Sequence, residues 1–233
     1  MSPASLFSDL LSVLLPPRCH VCGHPLPRPR NYICAGCLAE LPLASYSDIG
    51  HNPMADALLV LPEGESGTAF LRYGSGNATS RLLHDIKYRG FSRLARMLGR
   101  EAAGRLGSSG IFDEADILLP IPLHRSKQRA RGYNQARQIA LGISDVTEIP
   151  VGDNLVALRQ HSSQTRLSTA ARQANVEGVF GVRRPEELEG RTILIVDDVF
   201  TTGATMLSAA SAVTASCRAT RIRLFALASA FHA

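Results

Sequence analysis

The apolar residues of this chain fall into short runs separated by turn residues, and the runs follow two different periods. Residues 191–198 contain Ile193, Leu194, Ile195 and Val196 in succession, an aliphatic run of the kind that is buried on both faces of a sheet, and they end in two acids. Residues 117–119 form a second such strand, stopped by Pro120 and Pro122, and residues 222–227 form a third. Apolar positions at helical spacing predict helices over 80–87, 93–106, 134–143 and about 204–215. Residues 57–61 and 68–73 read as two strands joined by the turn-forming Glu-Gly-Glu-Ser-Gly of 63–67. Strand, loop, helix and strand in alternation predict an α/β domain with a largely parallel sheet flanked by helices. Binding sites in such sheets lie beyond the carboxyl ends of the strands.

The amino-terminal region departs from this pattern. Residues 1–15 are rich in Leu but have no positive charge ahead of the apolar part, are interrupted by Asp9, and run into Pro-Pro-Arg-Cys. That predicts a short amphipathic helix rather than a signal peptide, and hence a cytoplasmic protein. With 233 residues the chain has room for one ordinary domain and a small module. Four of its five cysteines lie between positions 19 and 37, so the division expected is 1–50 for the helix and module and 51–233 for the α/β domain. Residues 42–53 read as the linker. No apolar run reaches the roughly 20 residues of a membrane span.

Cys19, Cys22, Cys34 and Cys37 form two C-x-x-C pairs. Two intervening residues let both thiolates of a pair face one ion on a tight turn, and two such knuckles close a tetrahedral shell of four thiolates. The pattern predicts a structural Zn2+ site of zinc-ribbon type with no position left open for chemistry. Disulfides are disfavoured in a cytosolic chain, and a thioredoxin-like redox pair requires a βαβ setting that is missing around Cys19. His20 and His24 are further available ligands, although four cysteines suffice. Cys217 reads as a buried apolar residue.

The chain carries a net charge of +5, with hydrophobic residues at 45% and charged residues at 19%, as in a packed globular protein. The distribution of charge says more than its sum. Residues 117–144 contain no acid but include Arg125, Lys127, Arg129, Arg131 and Arg137. Residues 154–176 are also free of acids and include Arg159, Arg166 and Arg172. Unbalanced cations on this scale point to an anionic partner, either nucleic acid or a polyphosphate.

The candidate anion site follows the central strand. Asp197 and Asp198 end the aliphatic run and are followed by Thr201, Thr202, Gly203, Ala204 and Thr205 at the start of a helix. The free N–H groups of a helix amino terminus and the positive end of its dipole attract phosphate, small residues let it approach, and the Thr hydroxyls add donors. The acids beside it suit a ligand with phosphate at one end and sugar hydroxyls or Mg2+ at the other. A Walker A loop needs a Lys after the glycine, and a response-regulator receiver needs an acid and a Lys downstream; neither is present.

This stretch is similar to the ribose-phosphate motif of type I phosphoribosyltransferases. Three further segments narrow the resemblance to the ComF family, associated with DNA uptake in natural transformation. These are His84-Asp85-Ile86-Lys87-Tyr88-Arg89-Gly90, Pro120-Ile121-Pro122-Leu123-His124 running on to Arg131-Gly132-Tyr133-Asn134-Gln135-Ala136, and Gln164-Thr165-Arg166-Leu167-Ser168 running on to Arg172-Gln173-Ala174-Asn175-Val176. The four-cysteine module ahead of the domain also matches that family's architecture. The resemblance implies that Asp197 and Asp198 hold the ribose hydroxyls of phosphoribosyl pyrophosphate (PRPP), directly or through Mg2+. It implies that residues 201–205 hold its 5-phosphate. Arg125, Lys127, Arg129, Arg131 and Lys87 then become candidates for the pyrophosphate. Lys87 and Arg89 fit equally well as part of a helix end capped by Gly90, and Tyr133 fits packing better than base stacking. Residues 164–175 are the candidate flap over the site.

Two functions compete. One is an enzyme that transfers a phosphoribosyl group and releases pyrophosphate. The other is a non-catalytic nucleic-acid-binding competence factor, in which PRPP is a regulatory ligand and single-stranded DNA or recombination proteins are partners. A transcriptional regulator is disfavoured because no helix-turn-helix precedes the domain. The acceptor and the oligomeric state leave no signature in the chain.

Overall fold

The computed structural model describes residues 17–27, 32–44, 46, 48–159 and 178–231. The helix expected over 1–15 and the flap expected over 164–175 lie outside the described residues.

Among the described residues, four strands make one wholly parallel sheet: β1 (Gly64–Arg72), β2 (Ile117–Pro120), β5 (Thr192–Phe200) and β6 (Arg221–Ser229), in the order β1-β6-β5-β2. A separate antiparallel pair joins β3 (Leu155–Ala157) to β4 (Phe180–Val182). The central position of β5 explains its uninterrupted apolar run, since side chains that alternate across a strand meet a core on either side. Leu194 and Val196 belong to a core shared with Phe70, Leu118, Phe225 and Leu227. Ile193 and Ile195 belong to the opposite core, with Leu119, Leu224 and Ala226.

Helices α3 (Ala78–Tyr88), α4 (Ser92–Leu106) and α6 (Gln135–Thr147) cover the first face, contributing Leu82, Ile86, Leu94, Leu98 and Ile139. Helices α2 (Pro53–Leu58) and α7 (Ala204–Ser216) cover the second, through Met54, Leu58, Met206 and Val213. The seven-residue helix α5 (Arg125–Arg131) lies after the carboxyl end of β2. The helices and strands expected over 80–87, 93–106, 117–119, 134–143, 191–198, 204–215 and 222–227 are therefore all present, each one to three residues longer than expected.

The strand expected over 68–73 is present as the second half of β1, whereas the strand expected over 57–61 and the turn between the two are corrected. Residues 53–58 form α2, and residues 63–67 belong mostly to β1 itself rather than to a turn. Asn52 accepts hydrogen bonds from the Met54 and Ala55 amides at 2.9 and 3.2 Å, and Pro53 occupies the first helical turn, where its missing N–H costs nothing. The Asn-Pro start signal outweighs the strand-like look of the residues after it. Gly67 serves a close approach: a Cβ there would stand 2.8 Å from the Met54 Cβ of α2.

The cysteine-bearing segment includes the short helix α1 (Ala35–Ala39) and packs directly on the first core. Cys19, Leu26, Ile33 and Leu41 are buried in the same cluster as Phe70 and Leu83. Residues 42–44, expected as linker, continue β1's edge: the Arg72 amide donates to the Pro42 carbonyl at 2.7 Å and the Ala44 amide to the Phe70 carbonyl at 2.9 Å. Among the described residues no helix is long and apolar enough to cross a membrane.

Candidate functional site

The carboxyl ends of β2 and β5 open into a cleft of about 560 Å³, walled by α3, α5 and the end of β3. Alternation along β5 decides which way its terminal acids face. Asp198 continues the row of Leu194 and Val196 toward α3, where its Oδ1 lies 3.0 Å from the Lys87 ammonium. Asp197 continues the row of Ile193 and Ile195, and its Oδ1 accepts the Asp198 amide at 2.8 Å. Both acids line the same cleft because it opens over the strand's end.

Burial, above all, and then the adjacent Asp198 carboxylate push Asp197 up to about 7, against the opposing pull of the Asp198 amide, Lys87 and Arg131. On the facing side, burial lowers the Lys127 ammonium, and the neighbouring Arg131 and Lys87 lower it further. Acids and cations are thus held close together, each set crowded by its own kind.

The turn after β5 has the shape expected of an anion loop. Gly203 stands at φ +76°, immediately before α7, and a Cβ there would lie 2.8 Å from the buried Phe200 ring. Among the described residues no side chain caps the start of α7, so its first amides keep their donors. Thr201 and Thr205 line the cleft together with Asp197 and Asp198. Thr202, Gly203 and Ala204 form the turn beside them without lining the cleft wall.

Helix α5 divides the four candidate cations. His124 caps it through the Ser126 amide at 3.4 Å, and Gly132 ends it in the left-handed conformation. Lys127 and Arg131, four residues apart on one face, line the cleft. Arg125 opens instead on a neighbouring groove with Arg137 and Arg183, and Arg129 lines neither. Lys87 and Lys127 are the only lysines in the chain, and both line the cleft. Lysine scarcity in so arginine-rich a sequence was a signal that sequence reasoning missed.

One further side chain enters to which the sequence had assigned no role. Tyr88 is 68% exposed at the cleft mouth, with the Arg131 guanidinium carbon 5.6 Å from its ring centroid and the His84 ring at 5.1 Å. Tyr133 packs rather than stacks: its hydroxyl donates to the Ile86 carbonyl of α3, and burial pushes it up to about 12. Arg89 reaches the buried Asp85 at 3.4 Å, at a helix end where Gly90 takes φ +76°.

The four clustered cysteines lie apart from the cleft. Their sulfurs all fall within 4.8 Å of one another, and Cys22 Sγ is 3.8 Å from Cys34 Sγ. A tetrahedron of thiolates about 2.3 Å from a central zinc has edges of about 3.8 Å, so the cluster is able to hold a metal ion and fits a zinc module. Burial works against ionisation of Cys19, but amides of Cys22, Cys34 and Val21 outweigh it and bring that thiol down to about 6. Hydrogen bonding to Cys34, then Cys22, holds Cys37 protonated up to about 12. His20 is turned away, with Nδ1 2.5 Å from Asp85 Oδ2, so it is no ligand here. Cys217 is buried and apolar, as expected.

The family described as phosphoribosyl transferase domain matches residues 129–232, which hold Arg131, the acid pair and the Thr loop. Competence protein F of Haemophilus influenzae is 34% identical over 93 residues, covering 39% of this chain and 41% of that protein. Competence protein ComFC of Bacillus subtilis is 24% identical over 209 residues, covering 90% and 76% respectively. DNA utilization protein YhgH of Escherichia coli K12 is 29% identical over 132 residues, covering 54% and 57%. This chain therefore spans less than two thirds of two of these three relatives. Residues 129–232 thus match a phosphoribosyl transferase domain, on a parallel sheet flanked by helices, and the chain has homologues in the competence proteins F and ComFC and in YhgH.

Proposed function

We propose that this protein binds PRPP in the cleft at the end of β5 and serves, like its homologues by name, in competence and DNA utilization. The observation that carries the reading is the pairing of opposites in one cleft. Asp197 and Asp198 lie at the strand end, uncapped amides and Thr201 and Thr205 lie on one side, and Lys87, Lys127 and Arg131 lie on the other. PRPP has a matching order of groups: a 5-phosphate, two ring hydroxyls and a pyrophosphate. In this reading the amides and Thr hydroxyls hold the 5-phosphate, the acids take the ribose hydroxyls, and the three cations meet the pyrophosphate.

The same arrangement suits transfer. As the bond from the anomeric carbon to the pyrophosphate oxygen breaks and the bond to an acceptor forms, positive charge develops on the ring, and the two carboxylates stabilise it. The cations stabilise the leaving pyrophosphate. The paired acids are a hard-oxygen donor set able to hold Mg2+, and a cation beside Asp197 would offset the burial and like charge that raise it. When bound, Mg2+ supplies neutralisation of the phosphates.

Calorimetric titration with PRPP and MgCl2 tests the reading. Saturable binding is expected, with Asp197→Asn/Asp198→Asn weakening it at least about 100-fold, as loss of two charge-assisted contacts requires. Equal affinity in the variant would refute the site. Release of pyrophosphate on adding nucleobases, nucleotides or DNA ends separates an enzyme from a PRPP-regulated factor. Arg125, with Arg137 and Arg183 around a second groove, favours nucleic-acid contact as the alternative role, and a steep fall of DNA affinity with salt is its signature.

The four-cysteine cluster is proposed to hold structural Zn2+, consistent with five free thiols in a reducing, cytoplasmic setting. Cys34→Ser should lower bound zinc, read by metal analysis, from about one per chain to a small fraction. Unchanged stoichiometry would point to other ligands.

A further inference from the structure

The cysteine knuckle and the cleft belong to different parts of the fold, yet one helix touches both. Side chains two apart on a helix point about 200° apart, onto opposite faces. On α3, Asp85 faces the knuckle and Lys87 faces the cleft. Asp85 is buried, 7% exposed, and its Oδ2 takes a 2.5 Å hydrogen bond from His20, which sits between Cys19 and Cys22. His20 is itself wedged: its ring meets Phe91 edge-on at 4.3 Å, and its amide donates to the Tyr32 carbonyl at 2.9 Å. The remaining partners of Asp85, Arg89 at 3.4 Å and His84 at 3.8 Å, have largely exposed side chains. A buried carboxylate whose sheltered partner is removed is costly, so the helix end that carries it must shift or admit water. Lys87, two residues on, meets Asp198 at 3.0 Å.

We propose that His20 is a positioning residue for the cleft, transmitting the folded cysteine knuckle through Asp85 and α3 to Lys87, so that the module's metal sets the strength of the Lys87–Asp198 contact. Its consequence for ligand affinity rests on the PRPP reading above, but the coupling itself is measurable without ligand.

The chain's two lysines make that measurement direct. The full-length, zinc-loaded protein is labelled with a limiting amine-acetylating reagent, and modification of Lys87 and Lys127 is followed by peptide mass spectrometry. In the wild type, pairing with Asp198 protects Lys87. His20→Ala is expected to raise Lys87 labelling about tenfold, the scale of one lost hydrogen bond to a charged group, while Lys127 changes less than about twofold. His20→Gln, which keeps a donor for Asp85, is expected to recover most of the protection. Removing zinc with a chelator is expected to act in the same direction as His20→Ala. Unchanged Lys87 labelling in His20→Ala would overturn the coupling. So would a parallel rise at both lysines, which marks general loosening of the fold.

Calorimetry then separates the two readings. His20→Ala should weaken PRPP about tenfold in the wild-type background and less than about twofold in Lys87→Met, because the effect passes through Lys87. Independent, multiplying losses would sink the coupling. If Lys87 labelling responds but the wild type shows no PRPP binding, the functional reading fails and the coupling stands.

Discussion

Asp145 and Asp197 are both carboxylates beside basic side chains, and the fold treats them in opposite ways. Asp145 lies on α6 at the seam with α4, where Arg96 holds both its oxygens at 2.5 and 2.7 Å and Arg100 adds a contact at 2.7 Å. The Arg96 hydrogen bond, foremost, brings Asp145 down to about 2. Asp197 lies in the cleft beside another acid, and burial pushes it up to about 7. One carboxylate has more positive charge around it than it needs, and its site is complete. The other is held where ionisation is costly, with burial and a second acid both acting against its charge. The difference separates a carboxylate satisfied within the chain from one perturbed in the way that marks a candidate functional site.

The pH dependence of stability should divide the two, with the larger effect at the cleft. For Asp197 the folded value lies above the unfolded one, so the native state binds the extra proton, and unliganded stability falls as pH rises from about 4 to about 7. Asp197→Asn removes that cost. It should stabilise the ligand-free protein by roughly 2 to 4 kcal/mol at pH 8, with little change at pH 4, in denaturant titrations at the two pH values. A destabilised variant at pH 8 would mean that Asp197 is satisfied after all, and the contrast with Asp145 would vanish.

A smaller effect of opposite sign is expected at the seam. The folded value of Asp145 lies below the unfolded one, so its contribution is present above about pH 4 and is lost as pH falls toward about 2. Arg96 and Arg100 are 40% and 54% exposed, and solvent screening holds the contribution to about 1 kcal/mol. Asp145→Asn should therefore lower stability at pH 7 by about that amount and flatten the acid limb of the pH profile. An unchanged acid limb would show that the two arginines contribute only packing along the seam.

The legibility of the site tracked how local its chemistry is. The Cys-x-x-Cys pairs, the acid pair and the Thr loop are contiguous in sequence, and the structure brings the cysteine sulfurs together and sets the acids and two of the threonines on one cleft. The strand-like look of residues 57–61 misled because Asn52 and Pro53, a helix start, lie just upstream and the glycines of 64–67 admit a helix against β1 instead of making a turn. The role of Lys87 stayed undecided between cap and ligand, since its partner Asp198 is more than a hundred positions away in the chain.

What the sequence determined by itself is the periodicity of its elements and the short-range chemistry: strands buried on both faces, a spacing of thiols that brings four sulfurs together, and a small-residue turn after the central strand. These depend on residues within a turn or two of one another. Only the tertiary structure decided which of four cations on α5 reach the cleft, that the cysteine module is packed onto the main core, and that His20 faces Asp85 rather than a metal. Those outcomes depend on the rotation of helices about their axes and on contacts across long loops, which local spacing does not encode.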